Sequence, residues 1–371
     1  MRRSILSKTT AVALSALLLI GTLTGCGGDS SGAAGATNPP ATTDSQESLP
    51  TSESAQSAAP LPPVSITNVS YDPTRELYEQ YNKLFQEYWL NEKKQEVEII
   101  QSHGGSGKQA RSVIEGNEAD VLTLALEGDV DEVRKAGLID DGWVKRFDKN
   151  SAPYTSTIVF LVRKGNPKNL KDWDDIVKPG VEIITPDPKS SGGARWNFLA
   201  AWAFSDQKNG GSEEKNKEFL KALYANVTVL DSGARGSTTT FVENGQGDVL
   251  LAWENEAFLS QKEHPGDFEI VTPSLSILAQ PSVSVVDANA RKHGTEEVAE
   301  AYLQYLYSDE AQRLEGQNYY RPSNPDILNE FSGTFDLNIK LVNIDDNFGG
   351  WETATAKFFA DGAIFDQIYA R

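Results

Sequence analysis

The sequence predicts an α/β fold with mostly parallel sheets, and three observations support this prediction. β-branched, apolar runs bounded by turn residues alternate along the chain with amphipathic helical patterns. Several of the predicted strands are followed directly by Ser and Gly residues of the kind that start helices. The chain has 371 residues, which is enough for about two domains.

The first 26 residues are predicted to be an export signal. Three basic side chains precede an apolar run at residues 11–23, which is too short to span a bilayer as a stable helix. The run leads into LTGC at residues 23–26, which resembles the bacterial lipobox that is cut before an acylated cysteine. We expect a lipoprotein signal peptide at residues 1–25 and lipid on Cys26. Ordinary cleavage nearby, with Cys26 as a bystander, is the alternative.

Residues 26–63 are predicted to be the acylated cysteine and a disordered tether. The segment after Cys26 consists mainly of small and polar residues with a few acids and no aromatic residue. Such a composition cannot bury enough apolar area to offset its ordering entropy. Its coil-like span of roughly 30–35 Å would lift a globular body clear of a membrane. The folded body is expected to start near Val64.

The folded body is predicted to alternate strands and helices. After the first strand, Asp72 is expected to be an N-cap with Pro73 at the first helical position. The glycine- and serine-rich residues 104–107 open a second helix, and late helices are predicted at residues 296–307 and 357–369. The predicted strands are residues 64–71, 97–100, 121–126, 157–163, 181–184, 227–230, 249–253, 268–271 and 283–286.

Composition excludes several classes of function. The formal net charge is −19, which argues against nucleic acid because Lys and Arg patches are needed to bind phosphate backbones. A single Cys and three widely spaced His residues offer no metal-ligand pattern. No phosphate-binding loop or nucleophile motif is complete. We therefore expect no metal, no cofactor and no catalytic residue.

Four strand-to-helix junctions carry small hydrogen-bond donors. They lie at Asp72, at Ser106, at Ser191 with Gly192 and Gly193, and at Ala234. Free N–H groups and the positive end of the helix dipole make a helix start suitable for an anion. Each junction alone could be a simple helix cap. Four of them at the carboxyl ends of strands, where open sheets bind ligands, favour an anion-binding cleft.

Charged residues flank these junctions. Lys189, Arg195 and Arg235 are either surface cations or side chains that support the loops from behind. Glu254 and Glu256 are adjacent to a predicted strand end. They could suggest a catalytic carboxylate pair, but we expect them to be charges that are either solvated or paired.

Seven stretches of the chain closely resemble the periplasmic sulfate-binding protein family. They are NVSYDPTRELY at 68–78, QSHGGSGKQA at 101–110, SAPYTST at 151–157, PKSSGGARWN at 188–197, DSGARGST at 231–238, YYRP at 319–322 and FGGW at 348–351. The resemblance covers nearly all of residues 64–371. Two features depart from the family: Asp187 stands where Asn is usual, and soluble members lack the lipobox and tether.

The resemblance implies a type II periplasmic-binding-protein fold, in which two Rossmann-like lobes joined by hinge strands hold the ligand in the interlobe cleft. We expect the first part of lobe 1 at residues 64–163 and lobe 2 at residues 164–279. Residues 280–371 are expected to return to lobe 1 and to form the C-terminal helices.

The same resemblance implies the ligand and its donors. The family's sulfate-binding groups fall on the backbone N–H of five residues, the Ser191 hydroxyl and the Trp253 indole. The five backbone donors are Asp72, Ser106, Gly192, Gly193 and Ala234. Thiosulfate-binding relatives typically carry Phe where Trp253 stands, which favours sulfate; a thiosulfate-preferring or dual protein is the alternative. From their positions beside the junctions, and not from the resemblance, we expect Arg195 and Arg235 to support the donors from behind.

The implied function is that of a periplasmic, lipid-anchored receptor that delivers sulfate to the permease subunits of an ABC transporter, as a monomer. An oxyanion-processing enzyme and a purely structural lipoprotein are the rival interpretations. One further observation accords with a sulfate scavenger. Met1 and Cys26 are the only sulfur-containing residues, which reflects either drift or the sparing of sulfur.

Overall fold

The structure is a computed structural model that describes residues 61–369. The predicted signal peptide, Cys26 and nearly all of the predicted tether lie outside the described residues. Among the residues that are described, no helix is long and apolar enough to cross a membrane.

The described residues form the alternating strands and helices that the sequence predicts. The strands are β1 Val64–Tyr71, β2 Val97–Gly104, β3 Val121–Leu124, β4 Tyr154–Thr155, β5 Ile158–Arg163, β6 Ile183–Pro186, β7 Val227–Asp231, β8 Val249–Trp253, β9 Phe268–Val271, β10 Ser276–Ile277, β11 Ser282–Val285, β12 Arg321–Pro322 and β13 Leu341–Val342. The longer helices are α1 Arg75–Lys93, α2 Ser106–Ile114, α3 Glu127–Lys135, α6 Gly192–Asn209, α7 Glu213–Ala225, α8 Ala234–Val242, α9 Glu254–Glu263, α11 Glu296–Tyr305 and α12 Asp309–Gln317. The shorter ones are α4 Asp148–Ser151, α5 Trp173–Ile176, α10 Asp287–His293, α13 Pro325–Glu330, α14 Ile344–Phe348, α15 Gly350–Ala354 and α16 Ile364–Tyr369. Two 3-10 turns, Asp72–Thr74 and Trp143–Lys145, and a π-helical turn, Thr355–Phe359, complete the elements.

A four-stranded sheet with the order β11-β3-β1-β2 organises the first part of the fold, which we call lobe 1. β1 pairs in parallel with both β2 and β3, and β11 joins the edge antiparallel to β3. α1 packs its aromatic face on this sheet because Tyr78, Tyr81 and Phe85 recur at helical spacing and are all fully buried.

A five-stranded sheet with the order β7-β6-β8-β5-β9 organises the second part, which we call lobe 2. β6 is parallel to β7 and β8, whereas β5 runs antiparallel to β8 and β9. The sheets are therefore mixed, and the prediction of mostly parallel sheets holds only for β1–β3 and β6–β8. α6 covers one face of this sheet and buries Trp196, Phe198 and Leu199.

The connections between the two sheets run side by side. β4 pairs antiparallel with β12, and Ser156 forms a bridge with Ala279. β5 lies in the second sheet although the expected lobe boundary was at residue 163, so the chain leaves the first sheet earlier than expected. Only β-branched, apolar character identified β5 in the sequence, and that character does not say which sheet a strand joins.

The C-terminal segment, residues 344–369, differs most from the sequence prediction. The expected helix at residues 357–369 is broken: a π-helical turn ends at Phe359, Gly362 takes a positive φ of 76°, and α16 starts at Ile364. A residue with positive φ cannot continue a right-handed helix. The segment packs on lobe 2, where Trp351, Phe358 and other apolar residues join the core of that lobe.

Candidate anion-binding site

Four junctions carry the candidate site, and each lies where a strand has ended and a helix begins. β1 ends directly before Asp72, which opens a 3-10 turn that runs into α1. The first residues of α2, α6 and α8 are Ser106, Gly192 and Ala234. The first N–H groups of a helix have no partner within it, and the helix dipole makes this end positive. Each junction therefore presents uncharged donors that suit an anion.

Glycines allow the loops of the two lobes to meet. A Cβ at Gly105 would lie 2.7 Å from the carbonyl oxygen of Ser190 and 2.9 Å from that of Ser232. A Cβ at Gly192 would lie 3.0 Å from the Cβ of Ser106. Since these distances leave no room for a side chain, only glycine permits the backbones to approach so closely.

Asp72 contributes its carboxylate to this contact between lobes. The carboxylate packs against Gly233, the residue before Ala234, and one oxygen lies 3.4 Å from Nη2 of Arg75. Burial raises the pKa of Asp72, and the positive charge of Arg75 opposes that rise. A carboxylate only accepts hydrogen bonds, so the backbone N–H is the group that Asp72 offers as a donor.

Trp253 supplies an unpaired donor beside the start of α6. It ends β8, its side chain is 1% exposed, and its Nε1 has no hydrogen-bond partner among the described residues. A Cβ at Gly193 would lie 2.7 Å from this nitrogen. A buried unpaired donor costs about 1–3 kcal/mol. An acceptor held at the start of α6 would remove that cost.

The two serine hydroxyls have different tasks. Oγ of Ser191 caps α6 by accepting the N–H of Ala194 at 3.4 Å, which leaves its own proton available to a ligand. Oγ of Ser106 donates to Asp129 Oδ2 at 2.6 Å and accepts the N–H of Ala125 at 3.1 Å. Ser106 therefore has only its backbone N–H left to offer, which is the group that the family resemblance implies.

Both expected supporting cations are paired with carboxylates. Nη1 of Arg195 lies 3.0 Å from Asp129 Oδ1, and its Nε donates to the carbonyl of Pro188 at 3.0 Å. Nη2 of Arg235 lies 2.8 Å from Glu76 and 3.2 Å from Glu256. The Arg195–Asp129 pair and the Arg235–Glu76 pair each connect one lobe to the other. Both lie close to the junctions.

Lys189 is likewise engaged away from the junctions. Its Nζ lies 2.9 Å from Asp366 in the C-terminal segment and 3.0 Å from the carbonyl of Phe359. Asp187, the residue that departs from the family, accepts the backbone N–H of Lys189 at 2.9 Å. The carboxylate therefore shapes the turn that leads to Ser190 and removes no donor.

Glu254 and Glu256 are paired charges, but both are buried, so the alternative that they are solvated is wrong. Glu254 is 4% exposed and forms a two-pronged pair with Arg321, at 2.7 and 2.8 Å. Glu256 is 2% exposed and accepts from Thr238 at 2.8 Å as well as from Arg235. The sequence did not reveal this burial because the partner Arg321 is 67 residues away.

Burial sets the protonation of the groups behind the site. It raises the pKa of Glu256 to about 7, against the opposing effects of Arg235 and Thr238. It also lowers the pKa of His103 to about 4, and the charges of Arg75 and Arg235 add to this effect. His103 is therefore neutral at pH 7, and Arg235 is the cation that balances the carboxylates around it.

Three residues at the site were missed in the sequence. Asp129 joins Ser106 to Arg195, Glu76 holds Arg235, and Asn255 donates to the carbonyl of Pro73 at 3.1 Å. Glu76 lies within the stretch at 68–78, whereas Asp129 and Asn255 lie outside the seven stretches, and for all three only the packing of the lobes shows the contact. Among residues 61–369, no group of three or more His, Cys, Asp and Glu residues could hold a metal ion.

We predict that Glu256 makes stability depend on pH. A raised carboxyl pKa means that the folded state binds the proton more tightly than the unfolded state does. The protonated Glu256 therefore stabilises the folded state fully below about pH 4.5, and this stabilisation is lost between pH 4.5 and 7. The loss is at most about 3 kcal/mol, from 2.5 pH units at 1.36 kcal/mol each. In Glu256→Gln the stability should fall less over this range, as measured by denaturant unfolding.

The control for this prediction is Glu79→Gln, which removes the same charge from an exposed side chain of α1. If Glu256→Gln and the unaltered chain lose stability in parallel between pH 4.5 and 7, Glu256 does not titrate there.

Comparisons with known proteins agree with the resemblance. The model of the family "Bacterial extracellular solute-binding protein" matches residues 66–321. The chain is 60% identical over 309 residues to the sulfate-binding protein of Escherichia coli (strain K12), covering 83% of this chain and 94% of that protein. It is 48% identical over 307 residues to the thiosulfate-binding protein of Pseudomonas aeruginosa, covering 82% and 92%.

A solved structure shows the same fold. The sulfate-binding protein SubI from Mycobacterium tuberculosis H37Rv superposes with a TM-score of 0.70 at 32% identity, covering 80% of this chain and 99% of that one. The predicted type II periplasmic-binding-protein fold is thereby confirmed. The chain belongs to the family of bacterial extracellular solute-binding proteins, within the group that includes the sulfate-binding and thiosulfate-binding proteins.

Proposed function

We propose that this chain is a high-affinity extracytoplasmic sulfate receptor that delivers sulfate to an ABC transporter. The observation that carries the proposal is the buried indole N–H of Trp253, which lies unpaired beside Gly193 where helix starts from both lobes meet. The proposed donors are the backbone N–H groups of Asp72, Ser106, Gly192, Gly193 and Ala234, the Ser191 hydroxyl and the Trp253 indole.

Sulfate fits these donors by its own chemistry. It carries no proton at neutral pH and so only accepts hydrogen bonds. Hydrogen bonds to a charged group contribute about 1.5–3 kcal/mol each. Seven such bonds sum to more than the roughly 8.2 kcal/mol of binding free energy that a micromolar Kd requires. The surplus leaves a margin for the costs of association. Arg195 and Arg235 are already paired with carboxylates, so the anion is held by dipoles and not by a free cation.

Closure of two lobes over the ligand is part of the proposal. Asp72 and Ser106 follow strands of the four-stranded sheet. The other donors follow strands of the five-stranded sheet, except Trp253, which is the last residue of one of them. A bound anion would therefore join the two lobes. The paired connections β4 with β12 and Ser156 with Ala279 are the proposed hinge.

We further propose that the mature protein is a monomer held at a membrane on its periplasmic side by lipid on Cys26. From there it would pass sulfate to the permease subunits of the transporter. The proposed function is a receptor and not an enzyme, because the similar proteins are sulfate-binding and thiosulfate-binding proteins. Chromogenic sulfate and phosphate esters should be left intact by the purified protein.

Calorimetric titration tests the function. We expect micromolar or tighter binding of sulfate and at least about a thousand-fold weaker binding of phosphate at pH 7. Phosphate keeps a proton at this pH, and its hydroxyl would face a donor without an acceptor. The preference should narrow at high pH, as phosphate loses that proton.

Thiosulfate serves as the second ligand in the same titration, because the group of relatives includes thiosulfate-binding proteins. Tighter binding of thiosulfate than of sulfate would reverse the assignment of the main ligand. Comparable binding of phosphate and sulfate at pH 7 would mean that an acceptor faces the cleft.

Trp253→Phe should weaken sulfate binding by roughly 10- to 150-fold, because it keeps the ring and deletes one hydrogen bond to a charged group. The ring contact with Tyr71, at 5.3 Å between centroids, is retained. The control is Trp89→Phe, which deletes an indole bond to Gln95 in lobe 1. Equal affinity of Trp253→Phe and the unaltered chain would remove Trp253 from the site.

Cys26→Ser should release the protein from membranes, because the thiol that receives the lipid is gone. The released protein should remain folded and bind sulfate, as shown by fractionation followed by calorimetry. Ser30→Ala, in the same segment, is the control and should stay in the membrane fraction. Retention of Cys26→Ser in that fraction would contradict lipid anchoring at this residue.

A further inference from the structure

Trp196 makes a contact between the lobes that the proposed ligand donors do not include. It lies in the first turns of α6 in lobe 2, next to Arg195, and is fully buried. Its Nε1 donates to the carbonyl oxygen of Ala125 in lobe 1 at 2.9 Å. Ala125 directly follows β3 and precedes α3. The hydrogen bond therefore spans the cleft close to the helix start that holds Ser191, Gly192 and Gly193.

Both the N–H and the carbonyl of Ala125 form hydrogen bonds with residues at or beside the proposed site. Its N–H donates to Oγ of Ser106, whose backbone N–H is a proposed sulfate donor. Its carbonyl accepts from Trp196. Ala125 and Leu126 are fully buried and belong to the same apolar cluster as Trp196, although the rest of that cluster comes almost entirely from lobe 2. Separation of the lobes would have to break this contact.

The C-terminal segment holds the Trp196 ring in place. The ring of Trp351 meets it edge-on, with 4.7 Å between centroids and an angle of 86°. Trp351 also touches lobe 1, since a Cβ at Gly128 in α3 would lie 3.3 Å from the Cβ of Trp351. The two tryptophans thus form a continuous contact from the C-terminal segment through α6 to the start of α3.

We propose that Trp196 is a positioning residue that fastens the closed form and sets how slowly sulfate leaves. When the lobes part, water reaches both the indole N–H and the Ala125 carbonyl, so neither lacks a partner. When they close without the indole N–H, the carbonyl is buried without a donor, and this penalty falls on the closed form alone. The inference rests on the proposed function, because closure is defined by the bound anion.

The test compares two matched variants with the unaltered chain. Trp196→Phe deletes the bond across the cleft. Trp173→Phe deletes an equivalent buried bond within lobe 2, from Trp173 Nε1 to the carbonyl of Leu275 at 2.8 Å. Release and uptake of radiolabelled sulfate are followed by rapid filtration, and melting temperatures are measured without sulfate.

We expect Trp196→Phe to release sulfate roughly 5- to 150-fold faster, with little change in the association rate. Trp173→Phe should lower the melting temperature and leave the release rate unchanged. An unchanged release rate in Trp196→Phe, or equal acceleration in both variants, would overturn the inference while leaving sulfate binding intact. Failure of the unaltered chain to bind sulfate would instead overturn the proposed function and the inference with it.

A measurement on the unaltered chain keeps the inference testable if Trp196→Phe does not fold. Solvent exchange of the indole N–H protons is followed by NMR on protein with ¹⁵N-labelled tryptophan. Sulfate should slow the exchange of the Trp196 proton by roughly tenfold or more, because the closed form protects it. The Trp173 proton should be protected with or without sulfate. Equal exchange of the Trp196 proton in both states would show that its bond does not depend on closure.

Discussion

The proposed donors come from two different sheets and have to reach one point, and much of this structure follows from that constraint. The helix dipole acts only within the first turn, so a helix start is useful to an anion only at contact distance. Gly105 before α2, Gly192 at the start of α6 and Gly233 before α8 meet this condition, because a Cβ at each would collide with the opposite lobe. The glycines at the site thus serve the approach of two backbones as much as the exposure of N–H groups.

The distribution of charge follows from the same arrangement. A cation that faced the cleft would be costly to bury whenever the cleft closed without its ligand. Arg195 and Arg235 avoid this cost because each is paired with a carboxylate of the opposite lobe, Asp129 and Glu76. The positive charges therefore support the loops and fix the relation of the lobes, while neutral dipoles are left for the ligand. This division would accommodate the proposed anion site in a chain with a net charge of −19.

The sequence predicted the parts of the molecule that depend on neighbouring residues. Junctions such as Asp72 and Ser106 were visible because a β-branched run, a small residue and a helical pattern follow one another within a few positions. The prediction failed where the partner is distant. Glu254 is buried because Arg321 lies opposite it, and β5 joins the second sheet because β8 and β9 flank it. Neither contact can be predicted from the spacing of residues that are neighbours in the sequence.

In the proposed site, Asp72 combines a donor with a carboxylate that has to be kept from the ligand. Its backbone N–H opens the 3-10 turn after β1, yet its side chain is an acceptor that would favour a protonated anion over sulfate. The structure turns that side chain to the backbone of Gly233 and to Arg75. A Cβ at residue 233 would drive the carboxylate out of this position. Gly233 therefore allows the loops to close and also keeps the acceptor in a fixed place, so the proposed preference for a fully deprotonated anion would depend on packing between the lobes.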